Sequence, residues 1–335
     1  MNICTAKACA VAVILLAPMM GLGQAPFIPQ EAMTAPQPET LEGSRPHVYK
    51  SIGGANLRLH VYDRRSKSDV RSPAIVFFFG GSWTIGSVLH FVPQAKHFAQ
   101  RGIVAIVADY RVSSRHNTTA FESMSDAKSA VRWVRAHANE LGVDANRIVA
   151  AGGSAGGHIA LSTAVFDAFD ETNEGKSTSS KPNALVLFNP EVDTTDTPSH
   201  ATFADLRARF GAKARDGSPI HHLRAGLPPT LILHGKDDTL VAYSDVDRFC
   251  KESSGLGNLC QIVGYEGAGH SFFNPDRADG KWYRETLLEA DRFLTKLGYL
   301  SAPSPMQIQL TSRPTRGCTR RPPMQSRAAA GEPQR

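Results

Sequence analysis

A serine, a carboxylate and a histidine stand in this chain where they could act together. Gly152-Gly153-Ser154-Ala155-Gly156 follows the short run Arg147-Ile148-Val149-Ala150 and precedes an apolar stretch through Ile159, Leu161 and Val165. A linker would have polar flanks. A phosphate-binding loop would follow Gly157 with Lys and Ser/Thr, not with His158 and Ile159. G-x-S-x-G between a strand and a helix instead suits a sharp, strained turn that lifts a serine hydroxyl clear of a sheet. Residues two positions to either side must be small, and Gly152 and Gly156 meet that demand. The turn also aims the Ala155 N–H, at the helix start, toward an oxyanion formed at the serine.

A serine hydroxyl is a poor nucleophile until a base takes its proton and a carboxylate holds that base in the right tautomer. His270 closes the segment YEGAGH, where Gly267 and Gly269 permit a tight turn after a strand. Its rivals are weaker. His158 sits one turn into the helix launched by Ser154, His234 reads as a structural turn residue, and His221 and His222 lie in a long excursion. For the acid, Asp237 and Asp238 both follow the run PTLILHG. Asp238 matches the H-G-x-x-D-x-x-V arrangement and is preferred; Asp237 reads as a solvated loop carboxylate and Glu266 as a runner-up. Two further N–H donors are expected from Gly81 and Ser82, in the loop Phe79-Gly80-Gly81-Ser82-Trp83. This chemistry requires no metal or organic cofactor.

These groups need a frame. The sequence predicts a hairpin, HVYKSI and LRLHVYD about Gly53-Gly54, then a strand AIVFFF at 74–79 that is apolar enough to be buried on both faces. A helix ending at Gly102, a strand IVAIVADY and a long helix from Phe121 to Gly142 follow. RIVAAG leads into the serine turn and its helix. ALVLFN, PTLILHG and CQIVGYEG are three more strands, and a last helix runs near Lys281 to Leu297. This alternation predicts an α/β fold with a mostly parallel sheet and helices on both faces. In such sheets active residues sit on loops at the carboxyl ends of strands. Asp170 to Ser180 reads as a polar surface loop. Glu191 to Leu227 is the one long excursion, expected to hold a short helix near 203–210 and to cover part of the site.

The ends differ from the middle. Residues 1–25 read as a secretory signal peptide: MNICTAK, an apolar run, then small residues before cleavage near Ala25. The apolar run is short and interrupted by Pro18, a poor membrane span. Residues 26–45 read as a linker, 46–300 as the catalytic domain, and 301–335, rich in Pro, Arg, Gln and Ser, as a disordered basic tail. The net charge of +6 belongs to the ends, chiefly to Arg313, Arg316, Arg320, Arg321, Arg327 and Arg335. Without the ends basic and acidic residues balance, so nothing indicates a nucleic-acid partner or stable membrane insertion after cleavage. Of five cysteines, Cys250 and Cys260 lie on a helix and the strand that follows it. In an oxidising, secreted or periplasmic setting they are expected to form a disulfide. No cysteine or histidine spacing indicates zinc.

With Gly152 to Gly156, Asp238, His270 and Gly80-Gly81 in place, residues 46–300 resemble the α/β-hydrolase superfamily. Within it they resemble the esterase/lipase branch with an HGGG-type oxyanion loop, close to the hormone-sensitive-lipase-like and acetyl-esterase-like enzymes. Asp109-Tyr110-Arg111 and Asp126 are similar to loop-holding residues of that family. Phe79 stands where the family has the His of HGGG, and Ser82 where it has the third glycine. The resemblance implies a serine esterase working through an acyl-enzyme. Together with the compartment it favours small-molecule or carbohydrate esters with short acyl groups. Trp83, Tyr110, Phe188 and Phe272 are candidates for lining the substrate pocket. The alternatives are a catalytically silent binding protein of the same fold and a small-peptide or amide hydrolase.

Overall fold

The computed structural model describes residues 28–63, 70–195 and 209–302. Its elements in chain order are α1 (Gln30–Thr34), β1 (Arg45–Ile52), β2 (Ala55–Tyr62), β3 (Ser72–Phe78), α2 (Val92–Gln100), β4 (Val104–Ala108), α3 (Ser113–His116) and α4 (Ala120–Ala136). Then come α5 (Ala138–Leu141), β5 (Val143–Gly153), α6 (Ala155–Val165), β6 (Ala184–Phe188), β7 (Thr230–Gly235), α7 (Tyr243–Gly255), β8 (Cys260–Tyr265) and α8 (Lys281–Lys296). The segment 1–25 expected as a signal peptide, residues 303–335 of the expected tail and most of the excursion helix expected at 203–210 lie outside the described residues.

The strands form one eight-stranded sheet in the order β1-β2-β4-β3-β5-β6-β7-β8. The β1–β2 and β2–β4 pairs are antiparallel, and every pair from β4 onward is parallel. This is the mostly parallel sheet that the alternation implies, arranged as the α/β-hydrolase fold that the resemblance implies. Side chains of β3 from Pro73, of β4, of β5 from Ile148 and of β6 are buried, as strands covered on both faces must be. The connections reverse direction across the sheet between β3 and β5. A crevice opens at such a switch point, at the carboxyl ends of the strands. The loop after β3 carries Gly80 to Trp83, and the loop after β5 carries Ser154.

Local chemistry sets the helix ends. Thr119 caps α4: its hydroxyl accepts from Phe121 N–H, and Glu122 reaches back to Thr119 N–H at 2.8 Å. The single helix expected to run to Gly142 is broken at His137, whose ring stacks on Trp133 and whose Nδ1 meets Trp133 O at 2.9 Å. Helix α6 is buried along its whole length, which its nearly all-apolar sequence requires. Asp291 on α8 faces His97 and Arg101 on and after α2.

One sequence expectation needs correction and another gains detail. Residues 28–45 are not a free linker. Gly86 N–H donates to Met33 O at 2.8 Å, Arg115 Nη1 donates to Met33 O and Gly86 O, and Gln37 brackets Gly86 O and Val88 N–H at 3.2 and 2.8 Å. The segment is a strap on the loop that follows β3. The loop at 170–180 lies on the surface, yet its carboxylates turn inward. Lys50 pairs with Asp126 and Glu171 at 2.8 and 2.7 Å, Arg111 with the same two carboxylates, and Arg132 with Asp170 and Glu174. Lys50 of β1, Arg132 of α4 and Arg111 supply partners that offset the cost of burying these carboxylates.

Candidate active site

Ser154 sits between β5 and α6 at φ 55°, ψ −123°, a conformation that side chains rarely adopt. Its N–H donates to Phe188 O at 3.0 Å. A Cβ on Gly152 would collide with Gly156 O, and one on Gly156 with Phe78 O and Phe79 O, each well under 3.0 Å. Both glycines are therefore demanded by the close approach of three backbone segments. Ser154 is one of nine described non-glycine residues with positive φ, and five of them surround this site: Ser82, Trp83, Ser154, Asn189 and Ser271. Strain gathers where side chains must be aimed.

The structure brings Ser154, His270 and Asp238 into one relay. His270 Nε2 lies 2.9 Å from Ser154 Oγ, and His270 Nδ1 lies 2.8 Å from Asp238 Oδ2. Asp238 Oδ1 accepts from Leu240 and Val241 N–H, both at 2.9 Å. Burial raises the Asp238 carboxyl pKa, but the His270 hydrogen bond and charge, with His234 and Val241 N–H, outweigh burial and leave it below the ordinary carboxylate value. Asp238 is thus built to stay ionised. The rival acids face away: Asp237 is exposed, and Glu266 is exposed and paired with Lys236.

The rival histidines have other partners. His158 is fully buried; its Nδ1 accepts from Trp83 Nε1 at 3.3 Å and its Nε2 donates to Gly217 O at 2.8 Å. Burial pushes it down to about 4. His234 lies under the acid and donates to Val241 O at 2.9 Å. His221 stands 3.9 Å from Asp193, and His222 packs on Phe166.

The loop after β3 lies directly against the serine. A Cβ on Gly80 would be 3.3 Å from Ser154 Cβ. Gly81 adopts φ 132°, followed by Ser82 at 56° and Trp83 at 58°. Gly81 O accepts from Thr84 and Ile85 N–H, closing a tight turn. Among the described residues the N–H groups of Gly81 and Ser82 donate to no protein acceptor, and Ala155 is the first residue of α6. Phe79, in the place of the family's histidine, stacks on Tyr110 at 4.0 Å, and Tyr110 Oη donates to Phe79 O at 2.6 Å.

That contact corrects the pocket assignments. Tyr110 is 0% exposed, Trp83 and Phe272 are each 3% and Phe188 is 0%. Tyr110 supports Phe79 from below, and Trp83 packs edge-on against His158 and Phe210. Phe272 packs on Tyr265 and Trp282, and Phe188 on Phe91 and Phe273. They are packed supports for these loops rather than exposed walls. Aromatic size and nearness to motifs do not distinguish a wall from a support.

Three residues of the site are not evident from the sequence. Asn189 Nδ2 lies 3.5 Å from His270 Nε2, and its Oδ1 accepts from Ser271 N–H at 3.2 Å. His90 Nδ1 accepts from Gly80 N–H at 3.1 Å, and its Nε2 lies 3.0 Å from Asn274 Oδ1. Asn189 carried one signal, its place as the first residue past a parallel strand. His90 and Asn274 carried none.

Comparison with known proteins identifies the family. The BD-FAE family model matches residues 59–252. The chain belongs to the BD-FAE family. It lies within the α/β-hydrolase esterases, and the matched region of this BD-FAE protein includes Ser154 and Asp238, while His270 lies beyond it. The protein is 30% identical to the esterase LipC of Mycobacterium tuberculosis over 240 residues, 66% of this chain and 58% of LipC. It is 32% identical to the probable carboxylic ester hydrolase LipM of the same organism over 60% of this chain and 49% of LipM. The chain therefore spans about half the length of these curated relatives. Thermogutta terrifontis esterase 2, solved phosphonylated by sarin, superposes with a TM-score of 0.76 at 43% identity, over 78% of this chain and 98% of that one.

Proposed function

We propose that this protein hydrolyses carboxylic esters through a covalent acyl-serine. The observation that carries the proposal is the continuous Asp238–His270–Ser154 relay beside a loop whose Gly81 and Ser82 N–H groups meet no acceptor among the described residues. Ser154 Oγ attacks the ester carbonyl carbon while His270 Nε2 takes its proton. The carbonyl electron pair moves onto oxygen, where Gly81, Ser82 and Ala155 N–H receive it. The tetrahedral species collapses, the alkoxy group leaves, and His270 returns the proton to it. Water, deprotonated by His270, then attacks the acyl carbon; a second collapse releases the carboxylic acid and restores Ser154. Asp238 holds the Nδ1–H tautomer and stabilises the imidazolium.

The substrates we propose are small-molecule or carbohydrate esters with short acyl groups. Support comes from Thermogutta terrifontis esterase 2, also solved with propionate and with butyrate bound, at 44% and 43% identity. The 1–25 segment supports a secreted or periplasmic location. The test compares residues 26–335 with the Ser154→Ala form on p-nitrophenyl acetate, butyrate and octanoate, and on an acetylated oligosaccharide. Activity that falls with acyl length and disappears in Ser154→Ala is the expected result. Two folded proteins with equal, negligible rates that also fail to react with a phosphonate probe would leave a binding protein of this fold.

A further inference from the structure

We propose that His90 is a positioning residue that locks the oxyanion loop to the loop carrying the base, so that the two halves of the site hold one register. This rests on the esterase reading above. Ser154 and His270 lie on different connections, and two of the expected oxyanion donors, Gly81 and Ser82, lie on a third. The transition state requires all three to be aligned within a fraction of an ångström. Asn189 joins the serine side to the base loop through Ser271 N–H. His90 joins the oxyanion loop to the same base loop.

The geometry fixes its protonation. Gly80 N–H donates to His90 Nδ1 at 3.1 Å, so Nδ1 carries no proton and the ring hydrogen is on Nε2. Nε2–H then donates to Asn274 Oδ1 at 3.0 Å, four residues beyond His270. Gly80 is the residue before Gly81, whose N–H is the first expected donor. The ring is buried, and burial pushes it down to about 4, which keeps it neutral at physiological pH. Phe273, between His270 and Asn274, stacks on His90 at 5.6 Å, and its ring would meet a Cβ on Gly153 at 2.6 Å. His90 itself is set by a short 3₁₀ turn, Val88–Phe91, where Ser87 Oγ accepts from Leu89 N–H and Gln37 Oε1 from Val88 N–H. Both ring nitrogens are engaged between the two loops.

Three variants separate positioning from bulk. His90→Phe keeps the ring and removes both hydrogen bonds. His90→Asn restores an acceptor near Gly80 N–H only. Asn274→Ala removes the far partner. The expected result is a kcat loss on the order of 10²-fold in His90→Phe with little change in KM, and about tenfold recovery in His90→Asn. A trifluoromethyl ketone, which presents an oxyanion at Ser154, is expected to lose affinity in step with kcat/KM. In the wild-type protein, ¹⁵N spectra of labelled imidazole are expected to place the His90 proton on Nε2, coupled through Nδ1 to the Gly80 amide. A folded His90→Phe within threefold of wild-type kcat, an unrescued His90→Asn, or a proton on Nδ1 would overturn the proposal. If His90→Phe fails to fold, Asn274→Ala and the spectra decide. If the wild-type protein hydrolyses no ester, the esterase reading fails, and the spectra still judge the link between the loops.

Discussion

Replacing Asp238 by Asn tests the core of the site. The carboxylate accepts Leu240 and Val241 N–H on Oδ1 and faces His270 Nδ1 with Oδ2. Asn keeps the size and can keep Oδ1 as acceptor of both backbone groups, so the loop should fold. Its Nδ2 then faces His270 Nδ1 with a hydrogen. That forces the His270 proton to Nε2, the atom 2.9 Å from Ser154 Oγ. The base then presents a hydrogen to the nucleophile and cannot accept its proton. The equivalent substitution in a chymotrypsin-type protease lowers turnover by ~10⁴, and the same tautomer logic predicts a kcat/KM loss of ~10³–10⁴ here. That loss corresponds to roughly 4–5.5 kcal/mol of transition-state stabilisation. The assay is p-nitrophenyl acetate hydrolysis at about pH 7.5, above the ordinary histidine pKa, with circular dichroism to confirm folding. The neighbouring Asp237→Asn serves as control and should stay within twofold, since Asp237 is exposed and its N–H merely donates to Ala268 O at 3.0 Å. A folded Asp238→Asn within tenfold of wild type, or an equal loss in Asp237→Asn, would refute the reasoning.

Other consequences follow from the same structure. A chain starting at residue 40 loses the three strap hydrogen bonds made by Met33 and Gln37 to Gly86 and Val88. At about 1 kcal/mol each it should melt several degrees lower than one starting at residue 28; equal melting temperatures would show the strap to be idle. Reducing the Cys250–Cys260 bridge, which spans a sequence separation of 10, should cost ~3 kcal/mol by loop-closure entropy. Urea unfolding with and without reductant reads this directly. His60, His90 and His158 have pKa values held near 4 by burial, against 6.5 when free. Their folded pKa values are depressed, so stability is fully present above pH 6.5 and is lost as pH falls toward 4, where the unfolded chain binds more protons. The slope is at most about 1.4 kcal/mol per pH unit for each buried ring. Urea midpoints at pH 7 and pH 5 that coincide would contradict it.

The sequence by itself determined the strand and helix order, the serine turn, and the identity of the acid and base candidates. Those are local properties: a run of β-branched residues declares a strand, and Gly152 and Gly156 declare a turn too tight for side chains. The preference for Asp238 over Asp237 was also legible, because the spacing to His234 and Val241 reports how the chain bends after β7. Only the tertiary structure decided which loops become neighbours. Sheet order sets β3 beside β5 and β5 beside β6, and that order is not written in any one segment. Hence His90 and Asn274 were invisible and Asn189 was marked only by its place after β6: each makes its contact across 10 to 184 residues of chain. Trp83, Tyr110 and Phe272 erred for the same reason in reverse. Their types suit both a pocket wall and a buried support, and burial is settled by what packs on them. The strap at 28–39 looked like linker because Pro-rich polar sequence has no periodicity, while its partners are backbone groups of Gly86 and Val88 brought in from about fifty residues away. Periodicity records how a segment meets a core; it does not record which other segment meets it there.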